Sequence, residues 1–103
     1  MQSVQLKKGV LDLCVLGRLS TGDTYGYDIY QSINKVLGIS ESTIYPILRK
    51  MVNEGYLTTY LQESPDGPPR KYFKITKKGL EMYHKMYQEW QTLVRQVDYL
   101  IMR

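Results

Sequence analysis

The sequence has little cysteine and histidine, with only Cys14 and His84 among its 103 residues. A single cysteine cannot form an internal disulfide, which favours a reducing compartment such as the cytoplasm. Neither residue lies in a cluster of Cys, His, Asp and Glu, as a metal site requires. We therefore expect Cys14 to be packed in the core rather than to act as a redox thiol, His84 to be solvated, and no metal or other cofactor to be bound.

The sequence also lacks any apolar run close to the roughly 18 residues that span a bilayer. An apolar stretch near the start, residues 10–19, is interrupted by Asp12 and Arg18, and no signal-peptide cleavage site follows it. Glycine-rich phosphate loops, Ser–His–Asp sets and paired carboxylates in a pocket-like context are missing as well. The sequence therefore predicts a cytoplasmic protein with no membrane partner and no enzymatic activity.

Positive charge and tyrosine are both concentrated in this chain. The formal net charge is only +4, but five cations and no acidic residue fall between Gly67 and Leu80. Such a block suits a polyanionic partner, although charge alone leaves a solvated basic surface open as the alternative. The ten tyrosines, against one phenylalanine, suit surfaces that are half buried or that contact ligands.

Apolar residues at helical spacing predict three helices in the first half of the chain, over about 6–19, 25–37 and 40–54. The first helix is apolar on most sides, so more than one neighbour should bury it. Gly38 and Gly55 are suitable helix ends, and Ser40 is a suitable N-cap for the third helix. Pro46 lies too deep for the first helical position, which predicts a distorted start or a start later than Ser40.

The second half of the chain predicts a β-hairpin and a long helix. Residues 56–62 and 71–75 have the composition of strands, and the turn residues 64–69 between them predict an exposed tip. Thr76 caps a last helix whose apolar residues recur at heptad spacing. The predicted fold class is α+β, mainly α. It comprises a winged helix-turn-helix over 1–75, with its wing over about 56–75, and a C-terminal dimerisation helix over 76–103.

The outward face of the third helix is polar and basic, as reading a major groove requires. The residues on or beside this face are Ser42, Thr43, Tyr45, Arg49 and Lys50. Arg70 and Lys71 adjoin the hairpin tip, where they can reach phosphates or enter a minor groove. This arrangement predicts double-stranded DNA as the partner. The alternatives are solvent-facing residues on a small α+β domain, or a winged-helix adaptor that docks proteins and binds no operator.

Four segments in register resemble those of PadR-type transcriptional regulators. The segment YGYDI (25–29) resembles the GYEI that opens their second helix, and STIYPILRKM (42–51) resembles their TLYPALRRL recognition helix, proline included. The segments EGYL (54–57) and GPPRKYFKITKKG (67–79) resemble the family's EEGLI and GRPRKYYRLTEKG. The resemblance covers about residues 6–90, with Tyr56 at an aliphatic position and Phe73 at a usual tyrosine as mild departures.

The resemblance implies a regulator, in most family members a repressor, that binds a palindromic operator as a dimer. It implies that the five residues of the third helix listed above face the major groove, and that Arg70 and Lys71 serve the wing. Lys7 and Lys8, next to the first helix, are additional candidate phosphate contacts.

The last helix carries more apolar surface than a domain of this size can bury. A second copy of the chain is therefore the simplest partner for it. The predicted homodimer interface comprises Trp90, Leu93, Val94, Val97, Leu100 and Ile101. The alternative is that this helix folds back on the first helix of its own chain, and both arrangements can hold in part. Two-fold symmetry would set two recognition helices about 34–36 Å apart, one turn of DNA.

Aromatic residues in the same stripe indicate an effector site. Trp90, Tyr83, Met86 and Tyr87 can line a pocket for a small planar aromatic effector; alternatively, Trp90 only fills the dimer core. The chain is similar to the short-chain PadR subgroup, which includes multidrug-responsive repressors with paired tryptophans at the dimer interface. That resemblance implies sensing of drugs or phenolic compounds at Trp90.

Overall fold

The computed structural model describes residues 4–102, apart from the side chains of residues 4–6 and of Lys8. The elements within this range are α1 Val4–Ser20, β1 Thr24–Tyr25, α2 Gly26–Leu37, α3 Glu41–Asn53, β2 Leu57–Ser64, β3 Gly67–Ile75 and α4 Lys77–Ile101. The predicted order of three helices, a hairpin and a long helix is confirmed, with β1 as an addition. The predicted phosphate contact of Lys8 lies outside the described side chains.

Helix α1 lies at the centre of the hydrophobic core. Its Leu11, Val15, Leu16 and Leu19 are at most 1% exposed. They pack with buried residues from four other elements, namely Ile29, Ile33, Ile44, Leu48, Met51, Leu57 and Phe73. Burial of an aliphatic side chain of this size contributes about 1.5–3 kcal/mol, so α1 is the element against which the others are held. Cys14, on the same helix, is half-buried, and burial raises the pKa of its thiol, as expected for a packed residue.

A small polar network joins α1 to the elements that follow it. The guanidinium of Arg18 donates to the carboxylate of Asp28 at 2.8 Å, and the hydroxyl of Thr24 donates to the same oxygen at 2.8 Å. Arg18 also donates to the hydroxyl of Ser32 at 3.4 Å. Because these residues belong to α1, β1 and α2, the network fixes the end of α1 against the start of the helix-turn-helix.

The sheet has three antiparallel strands in the order β1-β3-β2. Strand β3 begins at Gly67, earlier than the predicted residue 71, so the tip is a two-residue turn rather than the whole of 64–69. Pro68 and Pro69 therefore lie within a strand. They are tolerated there because the β2–β3 register is irregular between Gln62 and Ser64, where a missing N–H breaks no regular ladder bond.

Helix α3 begins at Glu41, directly after Ser40, so the alternative of a start later than Ser40 is wrong. Pro46 lies inside the helix, where it has no N–H to donate to the carbonyl four residues earlier. That carbonyl belongs to Ser42, whose position on the surface leaves it accessible to water. Ser40 is the N-cap residue, but its hydroxyl lies 3.0 Å from the hydroxyls of Ser42 and Thr43 and does not accept from a backbone N–H.

Thr76 joins the hairpin to α4. Its hydroxyl oxygen accepts from the N–H of Gly79 at 3.0 Å, as a helix cap does, and its hydroxyl lies 2.7 Å from the carbonyl oxygen of Gly55. A Cβ added at Gly79 would collide with the carbonyl oxygen of Tyr56. The backbone of the first turn of α4 therefore lies too close to the α3–β2 connection for any side chain at this position. This contact fixes the direction in which α4 leaves the domain.

Candidate nucleic-acid interface

The outer surface of α3 divides into two sides. The i, i+3, i+4, i+7 spacing predicts Ile44, Ile47, Leu48 and Met51 as the inward face of this helix. Ile44, Leu48 and Met51 are buried as predicted, whereas Ile47 is only half-buried. One outward side is directed at the hairpin, hereafter the wing (Leu57–Ile75), and the other is directed at α1. The seven predicted DNA-binding residues therefore do not form one continuous row.

A cleft of about 530 Å³ separates α3 from the wing. Tyr45, Arg49 and Asn53 line it from α3, and Arg70 and Lys71 line it from β3. The cleft thus brings together four of the seven predicted residues. Among the described residues that line it, none is acidic, so its positive charges are not neutralised within the cleft.

Tyr45 is positioned by a close approach of α3 to α2. A Cβ added at Gly26, the first residue of α2, would lie 2.7 Å from Cε1 of the Tyr45 ring. A side chain at this position would therefore require the Tyr45 ring to shift. Burial, followed by the charges of Glu41 and Tyr27, raises the pKa of the Tyr45 hydroxyl. The hydroxyl is therefore protonated at neutral pH and can donate a hydrogen bond.

Aromatic rings organise the cations of the wing. The guanidinium of Arg70 lies over the ring of Tyr25, 4.5 Å from its centroid, and the ammonium of Lys71 lies 5.9 Å from the centroid of the Phe73 ring. Stacking on a ring restricts an arginine without neutralising it. Tyr25 and Tyr27 line the cleft but were not predicted as site residues. The abundance of tyrosine was the one sequence signal that pointed to such a surface.

Three tyrosines extend this aromatic surface across the sheet. The ring centroid of Tyr72 lies 5.6 Å from that of Tyr25 and 5.7 Å from that of Tyr60. The hydroxyl of Tyr60 donates to the carboxylate of Asp23 at 2.8 Å, and this bond raises the pKa of that hydroxyl. The row therefore links all three strands and restrains the base of the wing.

The remaining predicted residues of α3 lie on the side directed at α1. Ser42, Thr43 and Lys50 line a separate groove of about 410 Å³ there. The ammonium of Lys50 donates to the carboxylate of Asp12, on α1, at 2.7 Å. That hydrogen bond raises the pKa of Lys50 and outweighs the opposite effect of burial. Lys50 is thus paired within the chain, a contact that sequence analysis did not predict.

The residues predicted to form an effector pocket divide between the core and the surface. Tyr83 and Met86 are half-buried against the core, with the Tyr83 ring 3.0 Å from a Cβ built at Gly17 of α1. Tyr87 and Trp90 are exposed, Trp90 by 41%. The alternative in which α4 folds back on α1 therefore holds for the first half of α4.

The second half of α4 carries its apolar side chains uncovered in the single chain. The predicted interface residues range from 37% exposed at Val94 to 73% at Ile101. Between residues 4 and 102, no helix combines the length and apolar character needed to cross a membrane. The same range contains no cluster of three or more metal-ligating side chains, and His84 is exposed.

Comparison with known proteins places this geometry in a family. The profile of the transcriptional regulator PadR-like family matches residues 15–85. The chain belongs to this PadR-like family. Its members are transcriptional regulators and not enzymes, and the resemblance inferred from the four motifs is thereby confirmed.

Solved structures show the same fold. A PadR-like transcriptional regulator from Bacillus cereus is 38% identical and superposes with a TM-score of 0.85, over 94% of this chain and 96% of that one. Bacillus subtilis PadR, solved in complex with operator DNA, is 30% identical with a TM-score of 0.68, over 76% of this chain and 46% of that one. The mainly helical winged-helix fold predicted from sequence is confirmed by these matches.

A sequence match to the Bacillus subtilis protein agrees with the structural one. The protein described as the negative transcriptional regulator PadR is 33% identical over 79 residues, which are 73% of this chain and 43% of that one. The chain therefore spans less than half the length of that relative, whereas it spans nearly all of the Bacillus cereus protein.

The close approach of Gly26 to Tyr45 is testable by a coupled pair of substitutions. Gly26→Ala should lower the free energy of unfolding by about 1–3 kcal/mol, because the added methyl displaces the Tyr45 ring. With Tyr45→Ala present, the same change should be neutral or slightly stabilising, as alanine is the better helix former. Urea denaturation at one fixed protein concentration measures both effects.

Tyr45→Phe is the matched control, because it keeps the ring and removes only the hydroxyl. In that background, Gly26→Ala should cost as much as in the parent protein. An equal loss of stability in all three backgrounds would show that the ring does not set the spacing between α2 and α3.

Proposed function

We propose that this chain is a DNA-binding repressor that binds a palindromic operator as a homodimer. The observation that carries the proposal is the α3–wing cleft, in which Arg49, Arg70 and Lys71 lie together with no acidic neighbour among the described lining residues. Helix α3 enters the major groove and the wing follows the adjacent backbone.

The two walls of the cleft contact different parts of the duplex: α3 contacts the bases and the wing contacts the phosphates. Arg49, exposed on α3, has the length and fork geometry to pair with the acceptor edge of a guanine. Tyr45 supplies a hydroxyl donor and Asn53 an amide that can both donate and accept. Arg70 and Lys71, on the wing, neutralise phosphates and add affinity that does not depend on base sequence.

The relatives support the same function. The Bacillus subtilis PadR structure was determined with operator DNA, and that protein is described as a negative transcriptional regulator. The match covers 76% of this chain, and the family profile spans residues 15–85, which include the helix-turn-helix and the wing. We therefore infer operator binding and repression here too.

The exposed second half of α4 supports a two-fold dimer. Apolar residues at heptad spacing are typical of helices that pack against a second helix. The uncovered residues of this stripe are Trp90, Leu93, Val94, Val97, Leu100 and Ile101. A two-fold axis through this stripe presents two α3 helices to successive major grooves of one palindromic site.

The same stripe supports binding of a small planar aromatic effector. Tyr87 and Trp90 face outward, and Tyr83 stacks on Tyr87 with its ring centroid 6.2 Å away. In a dimer these rings face the partner and form an aromatic wall at the interface. An effector that stacks there shifts the dimer geometry and releases the operator.

Substitution of the two arginines in the cleft tests the DNA-binding proposal. A palindromic duplex selected from random sequence serves as the operator. Arg49→Ala should weaken binding to it by about 10- to 100-fold and relax the preference at one base pair. Arg70→Ala should weaken binding to all duplexes similarly and reduce the slope of log K against log salt by about one.

Lys85→Ala, on the exposed polar side of α4, is the charge-matched control and should leave both quantities unchanged. Electrophoretic shifts across a salt series supply the measurement. A chain that selects no duplex, or whose affinity does not fall with salt, would contradict operator binding and would behave as the protein-docking adaptor alternative predicts.

The Asp12–Lys50 ion pair generates a second test of DNA binding. Asp12→Asn should raise affinity for non-specific duplex a few-fold, because it removes a negative charge beside α3 and frees the Lys50 ammonium for phosphate. Lys50→Ala should then cost more affinity in the Asp12→Asn protein than in the parent. Equal costs in the two backgrounds, measured at one salt concentration, would show that the pair does not restrain Lys50.

A further inference from the structure

Binding of duplex DNA uses the hydroxyl of Tyr45 but not the faces of the aromatic rings that line the α3–wing cleft. Tyr25, Tyr27 and Tyr45 line the cleft beside its three cations, while Phe73, which also lines it, is buried in the core. A duplex offers phosphates to a wing, but its bases are stacked inside the helix and present only their edges. Aromatic side chains that bind nucleic acids by stacking need a base whose flat face is free.

We propose that this cleft also binds a single nucleotide, with the base against the tyrosines and the phosphate between the cations, and that the bound nucleotide excludes duplex DNA. The inference rests on the proposed function for its second part only. The first part, binding of the nucleotide itself, requires no operator.

The size of the cleft matches one nucleotide rather than a strand. Its volume of about 530 Å³ lies within the roughly 300–1,000 Å³ of small-molecule sites. A phosphate monoester carries between one and two negative charges at neutral pH, which three cations can neutralise. One carboxylate would leave most of that positive charge unpaired. The charge of the cleft therefore favours a phosphorylated ligand.

Part of the site is already arranged in the free protein. Arg70 lies over the Tyr25 ring, so its guanidinium is restrained beside the place where a base would stack. Tyr45 is held by the close approach of Gly26 and keeps its proton at neutral pH. It can therefore donate to a phosphate oxygen or to an acceptor on the base. Arg49 closes the opposite wall.

Isothermal titration of the protein with AMP, without DNA, tests the site. Separate titrations with adenosine and with inorganic phosphate are the controls, because these two compounds represent the two parts of AMP. AMP should bind at least tenfold more tightly than either half, because a stacked base and a paired phosphate each contribute. Equal affinity for AMP and phosphate would reduce the cleft to a simple anion site and overturn the proposal.

Two variants locate the nucleotide. Arg70→Ala should weaken AMP binding at least tenfold, whereas Lys85→Ala, on the exposed polar side of α4, should leave it unchanged. If Trp90→Phe, in the α4 stripe, abolishes binding and Arg70→Ala does not, the nucleotide binds at the dimer stripe and the assignment to the cleft is wrong.

Competition with the selected operator completes the test. AMP at ten times its own dissociation constant should raise the apparent Kd for the operator about 11-fold for each cleft that must be empty, and therefore about 120-fold for a dimer that uses both clefts. Binding of AMP with no change in operator affinity would refute the exclusion. A protein that binds AMP but no operator would contradict only the proposed repressor function, and one that binds operator but not AMP would contradict only the nucleotide site.

Discussion

The distance between α3 and the wing depends on a two-residue strand, β1, that pairs with the wing. Strand β1, Thr24–Tyr25, runs directly into α2 and pairs with Tyr72 and Phe73 of the wing. The wing is therefore hydrogen-bonded to the residue that begins the helix-turn-helix. The Arg18–Asp28 pair anchors this junction to α1, and the Tyr45 ring sets the approach of α3 to α2. Without these contacts the hairpin could pivot, and the cations on the two walls would not lie in one cleft.

Unlike the α3–wing junction, the second half of α4 is not covered by other elements: within the described part of the chain, its apolar residues remain exposed. The first half is secured by Thr76, Gly79 and the contact of Tyr83 with Gly17. That fixed origin gives the uncovered stripe a defined direction relative to α3. A second copy that covers the stripe consequently sets the spacing of two recognition helices, so dimerisation and reading of a palindrome share one geometric cause in our proposal.

Periodicity predicted the helices well because burial repeats along them: the inward residues Ile44, Leu48 and Met51 follow directly from their spacing. The two-residue strand β1 has no period to detect, and Pro68 and Pro69 hid the start of β3 because local rules exclude proline from a regular ladder. Local periodicity also cannot predict contacts between segments that are far apart in the sequence. Asp12 and Lys50 are 38 positions apart, and their pairing holds the Lys50 ammonium at α1, on the side of α3 away from the cleft. For the tyrosines of the cleft, the sequence showed only that tyrosine is abundant, not which tyrosines come together.

In our proposal, the α3–wing surfaces of two copies read one duplex together. Hydroxyl-radical footprinting of the protein on its selected operator tests this most directly. We expect two protected half-sites whose centres are about 10–10.5 base pairs apart on one face of the duplex, and we expect both to be lost together in Arg49→Ala. A single protected segment, or protection that persists in that variant, would contradict the proposal.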